Sequence, residues 1–294
     1  MGTRGPKTYL YGPRIRGDID LGVDPSSIDG AGQQNWAKMI FPGMKLAGQS
    51  DQLITAQSAT QKFAIGTRRI EYGRTFRYSK CGATTTTAAL ARLLWNGCYE
   101  PECASPYEDR DGFYGDLLTA ASVGDNYLDL EEVSAGRAAN AFQGGYLTPF
   151  DTNYNQYYIV KSDASTSTYT RVYLDHPLVQ AISATNGIQA YYSPYSKIID
   201  GSLSAFYTAM GKSNCGDITT DYYFWLQTAG PCWITPTGWG ATCPGYTSQK
   251  RDAYAWTDGT VQIQNTVGSL QRIGYMLPAN QATIASVFIM LQLE

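Results

Sequence analysis

Short runs rich in Tyr, Val, Ile, Thr and Leu, each closed by Gly, Asn, Asp or Pro, recur from about residue 61 to residue 294 of this chain. Runs of that kind suit a pleated, half-buried surface, and their brevity leaves little room for amphipathic helices. The segment KFAIGTRRIEYGRTFRYSKCG alternates and carries EYGR where a tight turn belongs, which predicts a β-hairpin. Strands are expected in NYLDLEEV, GGYLTPF, NQYYIVKS, STYTRVYL and GIQAYYS, then in DYYFWLQTAGPCWI, GTVQIQ, RIGYML and ASVFIMLQLE. One stretch reads otherwise. In AALARLLWN, Ala88 to Asn96, Leu90, Leu93 and Leu94 fall at helical spacing before an Asn96-Gly97 stop, which predicts a short helix. The fold expected is mainly β, an antiparallel sandwich or barrel-like body with an extended N-terminal arm and little helix. No fixed-period repeat suggests a solenoid or propeller, and the sequence leaves open whether the body is one unit or two β subdomains meeting near Ser193 to Gly216.

Residues 1–60 differ from the rest, because Gly, Pro, Asp and Ser interrupt them and hydrophobic periodicity is lacking. They read as an extended arm on a β-rich body of residues 61–294. Within the arm, Tyr9 and Tyr11 share one side of a short extended stretch that continues to Arg14 and Arg16. Trp36 to Leu46, WAKMIFPGMKL, is an apolar patch that needs something to pack against. Tyr9, Tyr11, Arg14, Arg16, Trp36 and Phe41 are therefore the candidate interface residues. The sequence leaves open whether the arm meets a neighbour or wraps its own body.

Composition narrows the chemistry. Charged residues are only 16% of the chain, with a net charge of -3, a pI near 5.3 and no long basic stretch, so nucleic-acid binding is not expected. The densest apolar run, VFIML from Val287 to Leu291, is far shorter than the roughly 18 residues of a spanning helix, and no membrane role is expected. Residues 1–20 lack the apolar stretch of an export leader, so synthesis in a cytoplasm is expected. His176 is the only histidine, which excludes a zinc site with several imidazoles within one chain.

Three groups of residues compete as sites. Asp109, Asp111 and Asp116, with Glu108, surround Gly112 in YEDRDGFYGD, where a weak calcium site is weighed against a solvated turn. Glu131 and Glu132 offer carboxylates without the paired spacing a glycosidase needs, and Asp175 and His176 fall on opposite faces of an extended segment. Trp225, Trp233, Trp239 and Trp256, with Tyr222, Tyr223 and Tyr246, form either a sugar-stacking platform or a core and interface cluster, the second being favoured. Arg16-Gly17-Asp18 is taken as chance. Cys98 with Cys103 and Cys232 with Cys243 are spaced to allow disulfides, although buried thiols are preferred in a reducing cytoplasm. No cofactor is implied.

Several of these segments, taken in order, resemble a known class. FAIGTRRIEYGRTFRYSKCGA resembles a hairpin of tailed-bacteriophage virion proteins of the capsid decoration or head-associated type. AASVGDNYLDL, GGYL, YYIVKS, VYLDHPLVQAI and SPYSKII follow in the matching order, and YYFWLQTAGPCWI, RIGYML and VFIMLQL close the series. The cysteines and the long arm depart from that pattern. The resemblance implies a non-enzymatic structural role in a virion, homo-oligomerisation and contact with other virion proteins, the major capsid protein first. The competing expectation is a glycan-binding fibre or spike component.

Overall fold

The computed structural model describes residues 52–82, 91–98, 112–131, 136–150, 155–185, 187–200, 208–236, 251–256, 258–262, 270–277 and 287–294. Every regular element among them is a strand, and none of them forms a helix long and apolar enough to cross a membrane. The hairpin forms as expected from strand β1, Arg68–Glu71, and strand β2, Arg74–Lys80, with Glu71 opposite Arg74. That register leaves two turn residues, Tyr72 and Gly73, at φ 49° and 74°. Two positive φ values give a type I′ turn, whose twist matches the right-handed twist of the flanking strands. A Cβ on Gly73 would meet nothing within 4 Å, so Gly73→Ala costs only its left-handed backbone, about 1–2 kcal/mol. A urea titration is expected to show that loss as a lower midpoint with an unchanged slope.

The helix expected over Ala88 to Asn96 is not found where that stretch is described. Leu93–Asn96 is strand β3, and Leu93, Leu94 and Trp95 are all buried. Leu93 and Trp95 face one core and Leu94 faces another, so a strand covered on both sides produced a run of apolar residues without alternation. Ala91, at φ 53°, also stops a helix from entering this segment.

The next six strands form one sheet. They are β4 (Gly112–Gly115), β5 (Tyr127–Glu131), β6 (Tyr146–Pro149), β7 (Tyr157–Ser162), β8 (Tyr169–Leu174) and β9 (Ile188–Tyr191). The order is β4-β9-β6-β7-β8-β5, with every pairing antiparallel. The sheet curls so that the residues just past β4 reach β5: the Leu118 N–H donates to the Asp129 carbonyl at 2.9 Å and the Glu131 N–H to the Asp116 carbonyl at 3.0 Å. These bonds cover part of the β5 edge, which would otherwise be open to foreign strands. Inside lie Phe113, Leu128, Leu130, Phe142, Leu147, Tyr157, Ile159, Val172 and Ile188.

The remaining strands are β10 (Ile198–Ile199), β11 (Ala209–Ser213), β12 (Tyr223–Ile234), β13 (Asp252–Ala255), β14 (Val261–Gln262), β15 (Arg272–Met276) and β16 (Val287–Gln292). With β1 to β3 they make a ten-stranded sheet along β10-β3-β11-β12-β16-β15-β13-β14, and β2 lies against β12. This sheet curls as well. The Val261 N–H donates to the Thr235 carbonyl at 3.0 Å, and the Leu93 N–H to the Gly259 carbonyl at 2.7 Å. Its interior holds Leu93, Trp95, Cys232, Ile234, Ile273, Ile289 and Leu291. The chain passes from the ten-stranded sheet to the six-stranded one between Asn96 and Gly112 and returns between Tyr191 and Ile198.

Residues 52–60, which the sequence placed in the arm, pack on the body. Gln52 is 2% exposed; its side-chain amide donates to the carbonyls of Ala56 and Tyr223, both at 2.8 Å, and its side-chain oxygen accepts from the Tyr78 hydroxyl at 2.9 Å. These bonds join the segment to a core of Phe63, Ile65, Phe76, Tyr78 and Trp225.

Candidate interaction surfaces

In a curled sheet the inward residues are used by the core, so any binding chemistry on the strands belongs to the outward set, and cross-strand partners identify it. On the six-stranded sheet, Tyr127 lies opposite Tyr173, Asp129 opposite Arg171, and Glu131 opposite Tyr169. Arg171 is held by Asp129 through two bonds of 2.7 and 2.8 Å, and its guanidinium lies 4.3 Å from the Tyr127 ring centre. The hydrogen bonds to Asp129 raise the Arg171 pKa further, so this cation is permanent. Lys161 sits beside it, 4.6 Å from the Tyr173 ring centre and 2.8 Å from Asp163, and Asp163 also accepts from the Tyr173 hydroxyl at 2.9 Å. Each cation on this face has a carboxylate, so the face is aromatic and close to neutral.

The ten-stranded sheet presents a second outward set. Trp233 lies opposite Phe288, and Met290 lies between Pro231 and Tyr275. Phe288 is 55% exposed and Tyr275 36%. Against these surfaces no family model, no curated protein and no solved structure matches the chain.

The structure distributes the sequence candidates widely. Tyr9, Tyr11, Arg14, Arg16, Trp36 and Phe41 lie outside the described residues, as do Asp109, Asp111, Glu132, Cys103, Cys243, Trp239 and Tyr246. Asp116 is exposed, and Gly112, read as the middle of a turn, is a buried strand residue paired with Tyr191. Among the described residues no group of three His, Cys, Asp or Glu side chains is placed to hold a metal ion. Glu131 is exposed at the end of β5.

Asp175 and His176 correct the sequence expectation. They do come together, with Nδ1 of His176 2.8 Å from a carboxylate oxygen of Asp175. Strand β8 ends at Leu174, and the bend that follows removes the opposite-face rule of an extended chain. The same carboxylate oxygen accepts the Tyr158 N–H at 3.1 Å, and the imidazole lies 5.0 Å from the Tyr157 ring. The pair thus ties the end of β8 to β7.

The tryptophans do not form one platform. Trp225 is fully buried, its indole N–H donating to the Gln52 carbonyl at 3.0 Å, whereas Trp233 and Trp256 are partly exposed elsewhere on the sheet. Sequence reasoning passed over Tyr127, Tyr169, Tyr173 and Arg171 because each sits in an ordinary strand run. Only the cross-strand register, which depends on tertiary pairing, brings them together.

Cys232 is a free thiol, 4% exposed, and burial pushes its pKa up to about 12. The thiolate is the reacting form. In native protein at pH 8, Cys232 is therefore expected to resist iodoacetamide for as long as the fold persists and to label fully in denaturant. Peptide mass spectrometry reads both states.

Proposed function

We propose that this chain is a non-enzymatic structural protein of a phage virion, a capsid decoration or stabilising protein that assembles as an oligomer and attaches through its β surface and its N-terminal region. The observation that carries the reading is the outward aromatic content of two curled sheets, Tyr127, Tyr169 and Tyr173 on one and Trp233, Tyr275 and Phe288 on the other. Tyr, Trp, Phe, Met and Arg are the residues that interface cores favour, while Lys, Glu and Asp are depleted there. A chain with 16% charged residues supports the same assignment. The ordered likeness to capsid decoration proteins supplies the virion context.

The test is incorporation into particles. Because residues 52–60 belong to the body, truncation is best made before Gln52. A chain lacking residues 1–51 is expected to stay folded by circular dichroism and to add to particles at well under a tenth of the full-chain level, counted by mass spectrometry of intact particles. Normal incorporation of that variant would remove the N-terminal region from attachment, and failure of the full chain to bind particles would end the virion reading.

The second reading, a glycan-binding fibre or spike component, draws on the Tyr127, Tyr169 and Tyr173 face rather than on Trp225. A glycan array with wild type and Tyr127→Ala separates the two, since saccharide signal lost in the variant would favour this reading.

A further inference from the structure

The β1–β2 hairpin ends on a side chain that its own fold does not need. Tyr72 holds the first central position of the type I′ turn at φ 49°, and it is 89% exposed. Asn, Asp or Gly suit that position, because positive φ crowds a larger side chain. A tyrosine there strains the backbone, and its ring gains no packing in return. Residues held in such sparsely populated backbone regions cluster at sites of function. Ile70, two residues earlier, is exposed as well.

The hairpin is also strongly basic. Residues 62–80 carry six lysines and arginines against one acid, Glu71, a net charge of +5 in a chain whose net charge is -3. Arg68 lies directly opposite Arg77, and both turn to the Glu294 carboxylate, at 3.8 and 2.7 Å. Arg74 lies opposite Glu71, but Glu71 is held by Arg69 at 2.9 Å. Among the described residues Arg74 has the Phe76 ring at 5.3 Å and no carboxylate. Exposed Tyr beside Arg is the composition of interface cores, and the surplus positive charge selects an acidic partner.

The complement lies on the other sheet of the same chain. Residues 112–131, from β4 through β5, contain Asp116, Asp125, Asp129 and Glu131 and no lysine or arginine. Asp129 is taken by Arg171, and Asp125 accepts the Ser122 N–H at 2.7 Å. The antiparallel bridge between Leu117 and Leu130 puts Asp116 opposite Glu131, and both are exposed. Among the described residues neither carboxylate has a cation. Like charges set directly opposite are unfavourable until a counter-charge neutralises them. Among the described residues each ion pair stays within one sheet, so the hairpin does not supply that charge inside its own molecule.

We infer, resting on the self-association in the reading above, that the β1–β2 hairpin of one copy docks on the Asp116–Glu131 seam of a second copy. Arg74 meets the two carboxylates, and Tyr72 and Ile70 supply the apolar contact. Because the two surfaces lie on different sheets, the contact is heterologous, and copies add head to tail until a ring closes. Salt screens the attraction.

Sedimentation velocity of the full chain, from about 1 to 100 μM in about 20 and 500 mM sodium chloride, tests this. Species of several copies are expected at low salt, with an apparent Kd at least about tenfold higher at high salt. Arg74→Glu and Glu131→Arg are each expected to weaken association about tenfold. An equimolar mixture of the two is expected to restore it, since each then meets the opposite charge on the other. Tyr72→Gly is expected to weaken association while the urea midpoint holds or rises, which separates docking from folding. If Arg74→Glu unfolds, Glu131→Arg and Tyr72→Gly decide the outcome. Association indifferent to salt or to the folded variants, or no recovery in the mixture, would overturn the proposal and leave self-association to another surface. A monomer under every condition would overturn it together with the oligomer of the reading above.

Discussion

Trp225→Ala is expected to destabilise the protein by about 3–5 kcal/mol, the usual cost of emptying a large aromatic site in a packed core. The residue is fully buried, with the rings of Phe63 and Tyr78 at 5.1 and 5.0 Å and the Arg69 guanidinium at 5.4 Å. Most of the loss is cavity and lost contact. The Gln52 carbonyl that accepts the indole N–H keeps a second donor, Arg69, at 2.9 Å. Since whole domains are stable by only about 5–15 kcal/mol, this is a large share. A urea titration should show it, and the anchoring of residues 52–60 should loosen with it, seen as faster amide exchange at Ala56 and Ser58. A loss below about 1 kcal/mol would mean that Trp225 is not packed as described. It would also return the residue to the exposed set on which a saccharide platform depends.

The same tryptophan shows how far the sequence could be read. The strand was legible in DYYFWLQTAGPCWI because Tyr, Phe, Trp and Ile are concentrated there, and the resulting β12 runs Tyr223–Ile234. The face on which each aromatic lies was not. Trp225 and Trp233 have the same parity along β12, yet one is core and the other partly exposed. The register shift between Gln227 and Ala229, and the change of neighbour from β2 to β16, separate them. A bulge of this kind re-aims every side chain beyond it, and local sequence carries almost no trace of it.

The Tyr72-Gly73 turn was readable for the opposite reason, since its chemistry is local. Leu93–Asn96 misled because a strand buried on both sides shows neither a period of two nor one of three to four. The outward faces were legible as residue types and illegible as surfaces. Tyr127 and Tyr173 are 46 residues apart in the chain and opposite one another in space. Asp175 and His176 were misjudged for want of one fact, that β8 stops at Leu174.

Alkaline pH is expected to weaken the fold steeply, and buried phenols are the cause. Burial is the leading reason that Tyr78, Tyr158 and Tyr195 all have pKa values raised from near 10, Tyr195 to about 12 and the other two further. Arg77 opposes the rise at Tyr158 and Tyr195, while Tyr146 adds to it at both. The sign follows from proton counts. Between pH 10 and the folded pKa each phenol keeps its proton when folded and loses it when unfolded, so the folded state binds more protons and stability falls as pH rises. Below pH 10 both states are protonated and this contribution does not vary. Each such phenol adds about 1.4 kcal/mol of loss per pH unit in that window. Three acting together give roughly 4 kcal/mol between pH 10.5 and 11.5. Urea titrations at half-unit steps from pH 8 to 11.5 should therefore show a gentle decline from about pH 9, where the buried Cys232 thiol contributes with the same sign, steepening sharply above pH 10. Tyr158→Phe is expected to make the decline shallower by about one proton while changing stability at pH 8 far less. A decline as steep in that variant as in the wild type would place Tyr158 in solvent and shift the cause to the remaining phenols and to Cys232, whose raised pKa acts with the same sign.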